Sequence, residues 1–366
     1  MKTKLIIVDG HSSVGKSSIS KSVYQQINRE HPAFWLHEEC ENHPIRHQEF
    51  SFGELDTAAG MERNRAGMLK KWVAFRDSIH ASGKICVTEG CLLHAYDRYF
   101  IHSIWDDAEI AVYYSQVLEV IDDLNPIIIF LHRPNLRKSL EQAFTARGQW
   151  WRDLILRRDD LHVYFKNHVY VDENSMFEAI AFEQSKMMEI FDQLSCLKLK
   201  IDTSDELWDQ YVREIVSFCG LPYRKLDPHP CHTLQQYSGT YRWQNGTEAD
   251  DWIIAYDDAR QCLYTTLFWE YMPMRCLAEN VFELVSFPVE LHFQQGDHGM
   301  QFCVRGNYDW EYNDQVFLRV YGGCSFHGGR RGLGYNPRQQ ARFACHHSRR
   351  TPCPKKKNPS TSLIST

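Results

Sequence analysis

The stretch "VDGHSSVGKSSISKSV" (8–23) decides the fold. Within it Gly10-His11-Ser12-Ser13-Val14-Gly15-Lys16-Ser17 fits G-x-x-x-x-G-K-[ST], and its surroundings give the match a mechanism. Ahead of it, "TKLIIV" (3–8) is a β-branched apolar run of the kind that makes a buried strand. Behind it, "KSSISKSVYQQINRE" (16–30) sets Ile19, Val23 and Ile27 at helical spacing. Between strand and helix the glycines let the backbone curl, so that N–H groups from Gly10 through Ser18 turn inward toward a phosphate chain. The helix beginning near Gly15 adds the positive end of its dipole. Lys16 is expected to reach the β- and γ-phosphates of ATP, and the Ser17 hydroxyl to hold Mg²⁺.

Working outward, four more strands are expected at "AFWLHEE" (33–39), "ICVTEG" (85–90), "PIIIFLHRP" (126–134) and "LKLKIDT" (197–203). Helices are expected at "MLKKWVAFRDSIHASGK" (68–84), closed by Gly83, at "LRKSLEQAFTARG" (136–148), at 175–194 and at 205–220. Residues 149–175, rich in Arg, Trp and Asp, have no clean period. Strands alternating with helices predict an α/β P-loop NTPase fold over residues 1–220: a five-stranded, mainly parallel sheet with helices on both faces.

Near Leu221 the texture changes. Residues 221–234 carry three prolines in "LPYRKLDPHPCHT" and read as a linker. Seven short strand-like runs follow over 235–321, separated by turn residues, which predicts a small all-β domain, an antiparallel sheet or barrel. From Gly322 onward the chain has no period and no acids, and it is expected to be disordered or non-native. "CHHSRRTPC" in that tail lacks the regular spacing of a zinc clip, and "PKKKNP" carries little as a basic signal.

Composition narrows the function. Of 41 Lys and Arg, nine lie after Tyr321; the remaining 32 face 47 Asp and Glu, a net charge of −15 for residues 1–321. Nucleic-acid binding needs clustered positive charge, so a nucleic-acid partner is not expected. Nor is a membrane partner: no apolar run reaches spanning length, and "MKTKLIIVDG" meets a glycine turn too soon for a signal peptide. Twelve scattered cysteines without a CxxC pair suit free thiols and a cytoplasmic setting.

Glu89 ends "ICVTEG", where its carboxylate would lie beside the phosphate loop and hold Mg²⁺ through water or contact substrate. Asp97-Arg98-Tyr99 looks like a substrate-binding "DRY", but it lies far past the strand and is read as helix-start chemistry. Phe52, Arg63, Arg65, Trp72 and Arg76 are candidates to line a substrate pocket, with Trp72 and Phe75 equally suited to core.

These residues resemble the small-molecule and nucleotide kinases of the P-loop class: thymidylate kinases, deoxynucleoside kinases and chloramphenicol phosphotransferases. The loop form G-x-S-S-x-G-K-S-S is similar to the phosphotransferase pattern. "IIIFLHRPNLRKSLEQAFTARG" looks like the passage leading into the arginine-bearing lid of these kinases, and "LKLKIDTSDELWDQYVREI" like their final strand, adenine-side loop and helix. The resemblance spans about residues 1–220. It implies an ATP- and Mg²⁺-dependent transfer of the γ-phosphate to a small-molecule acceptor, nucleoside- or antibiotic-like. By position it makes Arg147 and Arg152 catalytic lid arginines, with Arg157 and Arg158 as further candidates. Guanidinium forks there would stabilise charge on the phosphoryl group in flight. The acid that takes the acceptor proton would follow the second strand, at Glu38 or Glu39, with Glu38 favoured. "QWWRD" in the lid departs from the family; one of its tryptophans would stack on a planar ring or both would pack lid on body, with packing favoured. "YSGTYRW" resembles the start of a small auxiliary β-module of the Y-x-G-x-Y type. Here that module is expected to be a lid, a specificity element or a homodimer surface. A P-loop ATPase or nucleotide-gated binding protein is the alternative.

Overall fold

A computed structural model describes residues 1–46, 52–94, 97–225, 233–246, 251–267, 269, 271–297, 299–308 and 310–320. The tail from Gly322, residues 226–232 of the linker and the side chain of Phe52 lie outside the described residues.

β1 (Leu5–Gly10) is buried along its whole length, as a central strand covered on both faces must be. Leu5 and Ile7 enter one core and Ile6 and Val8 the other, so alternation along this one strand serves both layers. The sheet runs β2 (Ala33–Leu36), β3 (Ile85–Glu89), β1, β4 (Ile127–His132), β5 (Leu197–Asp202), and every pairing is parallel. The first core packs against α2 (Ala58–Ser82) and α3 (Asp107–Ile121). The second packs against α1 (Lys16–Glu30), α4 (Leu136–Arg147), α5 (Gln149–Leu156) and, beyond the four-residue α6 (Tyr164–Asn167), α8 (Trp208–Phe218). α7 (Glu173–Gln193) supplies side chains to both.

Three local readings needed revision. α2 starts at Ala58 rather than Met68, because the Thr57 side chain accepts the Gly60 N–H and caps the helix earlier. α3 had no expected counterpart. It is set by a capping box, in which Asp106 accepts the Glu109 N–H and Glu109 accepts the Asp106 N–H, and by a buried stripe from Ile110 to Ile121. Residues 149–175, read as aperiodic, hold α5, α6 and a 3₁₀ turn at Asp159–Leu161.

The C-terminal strands form a closed eight-stranded antiparallel barrel: β6 (Gly239–Trp243), β7 (Asp251–Asp257), β8 (Cys262–Thr265), β9 (Met272–Ala278), β10 (Val281–Leu284), β11 (Val289–Gly296), β12 (Gly299–Gly306) and β13 (Val316–Arg319), with β13 pairing back to β6. Eight strands replace seven expected runs because "RCLAENVFELV" folds back on itself at Asn280 (φ 64°). The interior is filled by aromatic side chains, among them Tyr241, Trp252, Phe282, Phe302 and Phe317.

The barrel docks on α1, one turn past the phosphate-loop lysine. Lys21 Nζ reaches Glu283 Oε2 (2.7 Å) and donates to the backbone carbonyls of Leu284 and Phe287 (2.9 Å each), which occupies all three ammonium donors. Arg275 also pairs with Glu283 and donates to Gln25 Oε1 (2.7 Å). Breaking a buried pair leaves an uncompensated charge, so Lys21→Met is expected to cost about 3 kcal/mol. Urea unfolding measures this, and a loss under about 1 kcal/mol, the size of an exposed pair, would remove Lys21 as the anchor.

Candidate active site

The phosphate loop sits at the carboxyl end of the central strand. Lys16, mostly buried, folds back across it and donates to the His11 carbonyl (3.2 Å). Asp9 sets the facing wall: its buried carboxylate accepts the Gly10 N–H (2.7 Å) and the N–H groups of Leu92 and Leu93 (3.0 and 2.7 Å), tying the segment after β3 to the loop.

Glu89 ends β3 against the loop. Its carboxylate accepts the Ser17 and Ser20 hydroxyls (both 3.1 Å), and His37 Nε2 lies 3.3 Å away. Burial pushes its pKa from the ordinary 4.5 up to about 7, against the pull of Lys16 and the two hydroxyl donors. Burial likewise lowers His37 to about 4, so this imidazole is neutral beside it. The folded state therefore holds the Glu89 proton more tightly than the unfolded chain. The associated stability is fully present below pH 4.5 and is lost as pH rises toward 7, by up to about 3 kcal/mol. Glu89→Gln should flatten that slope. Urea unfolding at pH 5 and pH 8 checks it, and equal losses in variant and parent would assign the slope to another group.

Glu38 follows β2, and its position is marked by Gly90 (φ 57°). A Cβ there would meet Glu38 Oε2 at 2.6 Å, Lys16 Cε at 3.1 Å and His94 Cδ2 at 3.4 Å, so glycine alone lets the three side chains converge. Burial raises the Glu38 pKa, with Lys16 opposing and Glu89 reinforcing. His94 Nε2 is 3.8 Å from Glu38 Oε2, and burial holds its pKa well below the ordinary value, with Lys16 and Arg98 pushing the same way. Glu39 instead lies 3.7 Å from Arg46.

The four arginines expected to form a lid have different surroundings. Arg147, the last residue of α4, lies with its guanidinium over the Trp151 ring (4.4 Å) and the Trp269 ring (4.3 Å). Desolvation lowers its pKa to about 10, and the charges of Glu38 and Glu89 pull the other way. Arg152 pairs with Glu173 and lies over Phe144. Arg157 lies 3.7 Å from Asp153 on the surface. Arg158 is buried and bonds Asp160 (2.6 Å) and Glu183 (2.8 Å). Of the lid tryptophans, Trp151 is buried in the second core and Trp150 packs at its edge.

Glu183 lies at the centre of a buried charge cluster. His102 is 2.8 Å from it, His11 of the phosphate loop 3.5 Å and Arg98 3.6 Å. Burial would raise its pKa, but Arg158 and Arg98 outweigh that and hold it well below the ordinary range. Asp97 accepts from the Trp72 indole (2.9 Å), and burial raises it to about 8. Trp72 and Phe75 are core; Arg63 pairs with Glu54, Arg65 with Glu62, and Arg76 with Asp77, all at the surface.

Sequence reasoning passed over Glu183, Trp208, His94 and His37. Glu183 had a signal: it interrupts the buried stripe Met176, Ile180, Met187, Ile190, where a carboxylate needs partners. Trp208 opens α8 and lies on the loop so closely that a Cβ on Gly15 (φ 96°) would be 2.5 Å from its Cζ3. Arg133 covers the same ring at 5.6 Å, and Thr203 ties this corner to the loop by donating to the Val14 carbonyl (3.0 Å).

The residues fit a nucleotide triphosphate. Ser13 Oγ is buried with no hydrogen-bond partner among the described residues, and Ser13 and Gly15 both take left-handed turns. Among the described residues no group of three or more His, Cys, Asp or Glu is placed to hold a metal ion. A divalent cation here would rest on the Ser17–Glu89 pair and on substrate phosphates, a set that suits Mg²⁺. No described helix is long and apolar enough to cross a membrane.

No protein-family model and no curated protein matches this chain. Similar solved structures include the YorR protein of Bacillus subtilis in complex with phosphorylated GDP, at 11% identity over 59% of this chain and 95% of that one, with a TM-score of 0.35. A sugar kinase from Janibacter sp. HTCC2649 is similar at 10% identity, over 60% and 95%, with a TM-score of 0.34. Shikimate kinase from Acinetobacter baumannii, in complex with shikimate, is similar at 12% identity, over 59% and 94%, with a TM-score of 0.30. Likenesses this distant leave the chemistry to be read from this chain's own residues.

Proposed function

We propose that the chain is an ATP-dependent phosphotransferase that moves the γ-phosphoryl group of ATP to a hydroxyl of a small-molecule acceptor. The observation that carries this is the convergence at Gly90 of Glu38, Lys16 and His94, next to the Ser17–Glu89 pair. A phosphate loop alone holds phosphate; a half-buried carboxylate beside its lysine gives an acceptor somewhere to leave a proton.

In this reading the loop amides and Lys16 hold the β- and γ-phosphates, and the exposed edge of Trp208, covered by Arg133, offers a stacking surface for the base. Glu38 orients the acceptor hydroxyl and takes its proton as the acceptor oxygen bonds to phosphorus. The bond from phosphorus to the β-bridging oxygen breaks, and ADP leaves with those electrons. The charges of Glu38 and Glu89 act on Arg147, whose fork would stabilise charge on the equatorial oxygens. Ser17 and Glu89 would hold Mg²⁺, which when bound neutralises phosphate charge. Arg152, occupied by Glu173, would serve only after a rearrangement of the lid. The test is transfer of labelled γ-phosphate to an acceptor panel, with Glu38→Gln as the control.

A further inference from the structure

We infer that the barrel is part of the catalytic site, and that Trp269 is a positioning residue that holds Arg147 in register for the phosphoryl group. The inference rests on the phosphotransferase reading and adds the barrel to it.

Among the lid arginines, Arg152, Arg157 and Arg158 each face a carboxylate. Arg147 has no hydrogen bond and no ion pair among the described residues. Its guanidinium instead lies against two indoles, Trp151 of its own lid and Trp269 of the barrel, at 4.4 and 4.3 Å. A guanidinium is planar and weakly hydrated, so its faces stack on aromatic rings while its in-plane N–H groups remain free for phosphate oxygens. Stacking therefore fixes the plane without using the donors.

The barrel is itself held in place at this point. Lys21 grips the carbonyls of Leu284 and Phe287, and Ser18 Oγ meets Ser286 Oγ at 3.0 Å, one residue past Ser17. Phe287 then packs on Trp269 (5.5 Å) and stacks on His37 (5.6 Å), whose Nε2 faces Glu89. One barrel turn thus contacts the loop helix, the neighbour of the candidate base and the ring behind Arg147. A separate specificity appendage would need none of these contacts.

The test is a double-mutant cycle on the full chain with Trp269→Ala, Arg147→Ala and the pair, plus Trp269→Phe. Two readouts are used: single-turnover hydrolysis of MgATP, and calorimetric affinity for MgADP with aluminium fluoride, which mimics the phosphoryl group in flight. Trp269→Ala is expected to lower both about tenfold, a size between an exposed and a fully desolvated cation–π contact, with MgATP affinity within about twofold. The double variant should match Arg147→Ala alone, because Trp269 acts through that arginine. Trp269→Phe should recover most of the loss, which separates a stacking face from a folding defect. Parental behaviour in Trp269→Ala, or losses that multiply in the double variant, would overturn the inference. A parent that binds the fluoride complex but transfers nothing would sink the phosphotransferase reading and leave the binding cycle to decide on Trp269. A parent that binds neither nucleotide nor the complex would overturn both.

Discussion

Replacing Lys16 by methionine is expected to lower MgATP turnover by about 10²- to 10³-fold, the scale for removing one donor aimed at developing charge in a water-poor site. Nucleotide affinity should fall with it, because the same ammonium holds the ground-state phosphates. The side chain is mostly buried, and its described hydrogen bond is to a carbonyl of its own loop, His11, so its removal breaks no ion pair. Methionine keeps the apolar stem that passes Gly90. Folding is therefore expected to survive, and thermal unfolding of the unliganded variant should stay within a few degrees of the parent. Kinetics and calorimetry with MgATP check both halves. A variant that retains parental turnover would place the chemistry away from this loop.

Glu38→Gln separates transfer from binding. A general base typically contributes 10²- to 10⁴-fold, so transfer to an acceptor hydroxyl should fall about 10³-fold while MgATP affinity changes by no more than about twofold. The sign of the pH dependence follows from the same carboxylate. Burial raises its pKa, so the parent needs a pH above that raised value for Glu38 to accept a proton, and its transfer rate should climb with pH through it. Glutamine cannot titrate, and the residual rate should lose that limb. If the variant keeps the limb, another group supplies the base.

Most of the sheet was legible because its determinants are local. Short β-branched apolar runs such as "LIIV" and "IIIFL", bounded by turn residues, read as covered strands, and the loop between β1 and α1 is a motif with a fixed structural context. What escaped was set by contacts distant in sequence or by caps. α3 depends on the Asp106–Glu109 box, and the extra barrel strand on one left-handed asparagine. The site divides along the same line. The placement of Gly10–Ser18 between β1 and α1, and of Glu89 at the end of β3, was readable, since position along a strand fixes both. The choice of Glu38 over Glu39 as the residue next to Lys16 was not, because it depends on Gly90, far along the chain on the segment after β3. Trp269 was unreadable for the same reason: no local pattern in "LFWEYM" signals that the barrel meets the lid arginine.

In the proposed reaction, phosphate held by this loop passes to an acceptor rather than to water. The direct measurement is product formation from γ-labelled MgATP with a panel of nucleosides, nucleotides, and aminocyclitol and phenicol antibiotics, separated and counted. The expected result is a labelled acceptor whose formation is lost in Lys16→Met and strongly reduced in Glu38→Gln. ATP hydrolysis that no acceptor alters, with the label recovered only as inorganic phosphate, would contradict it.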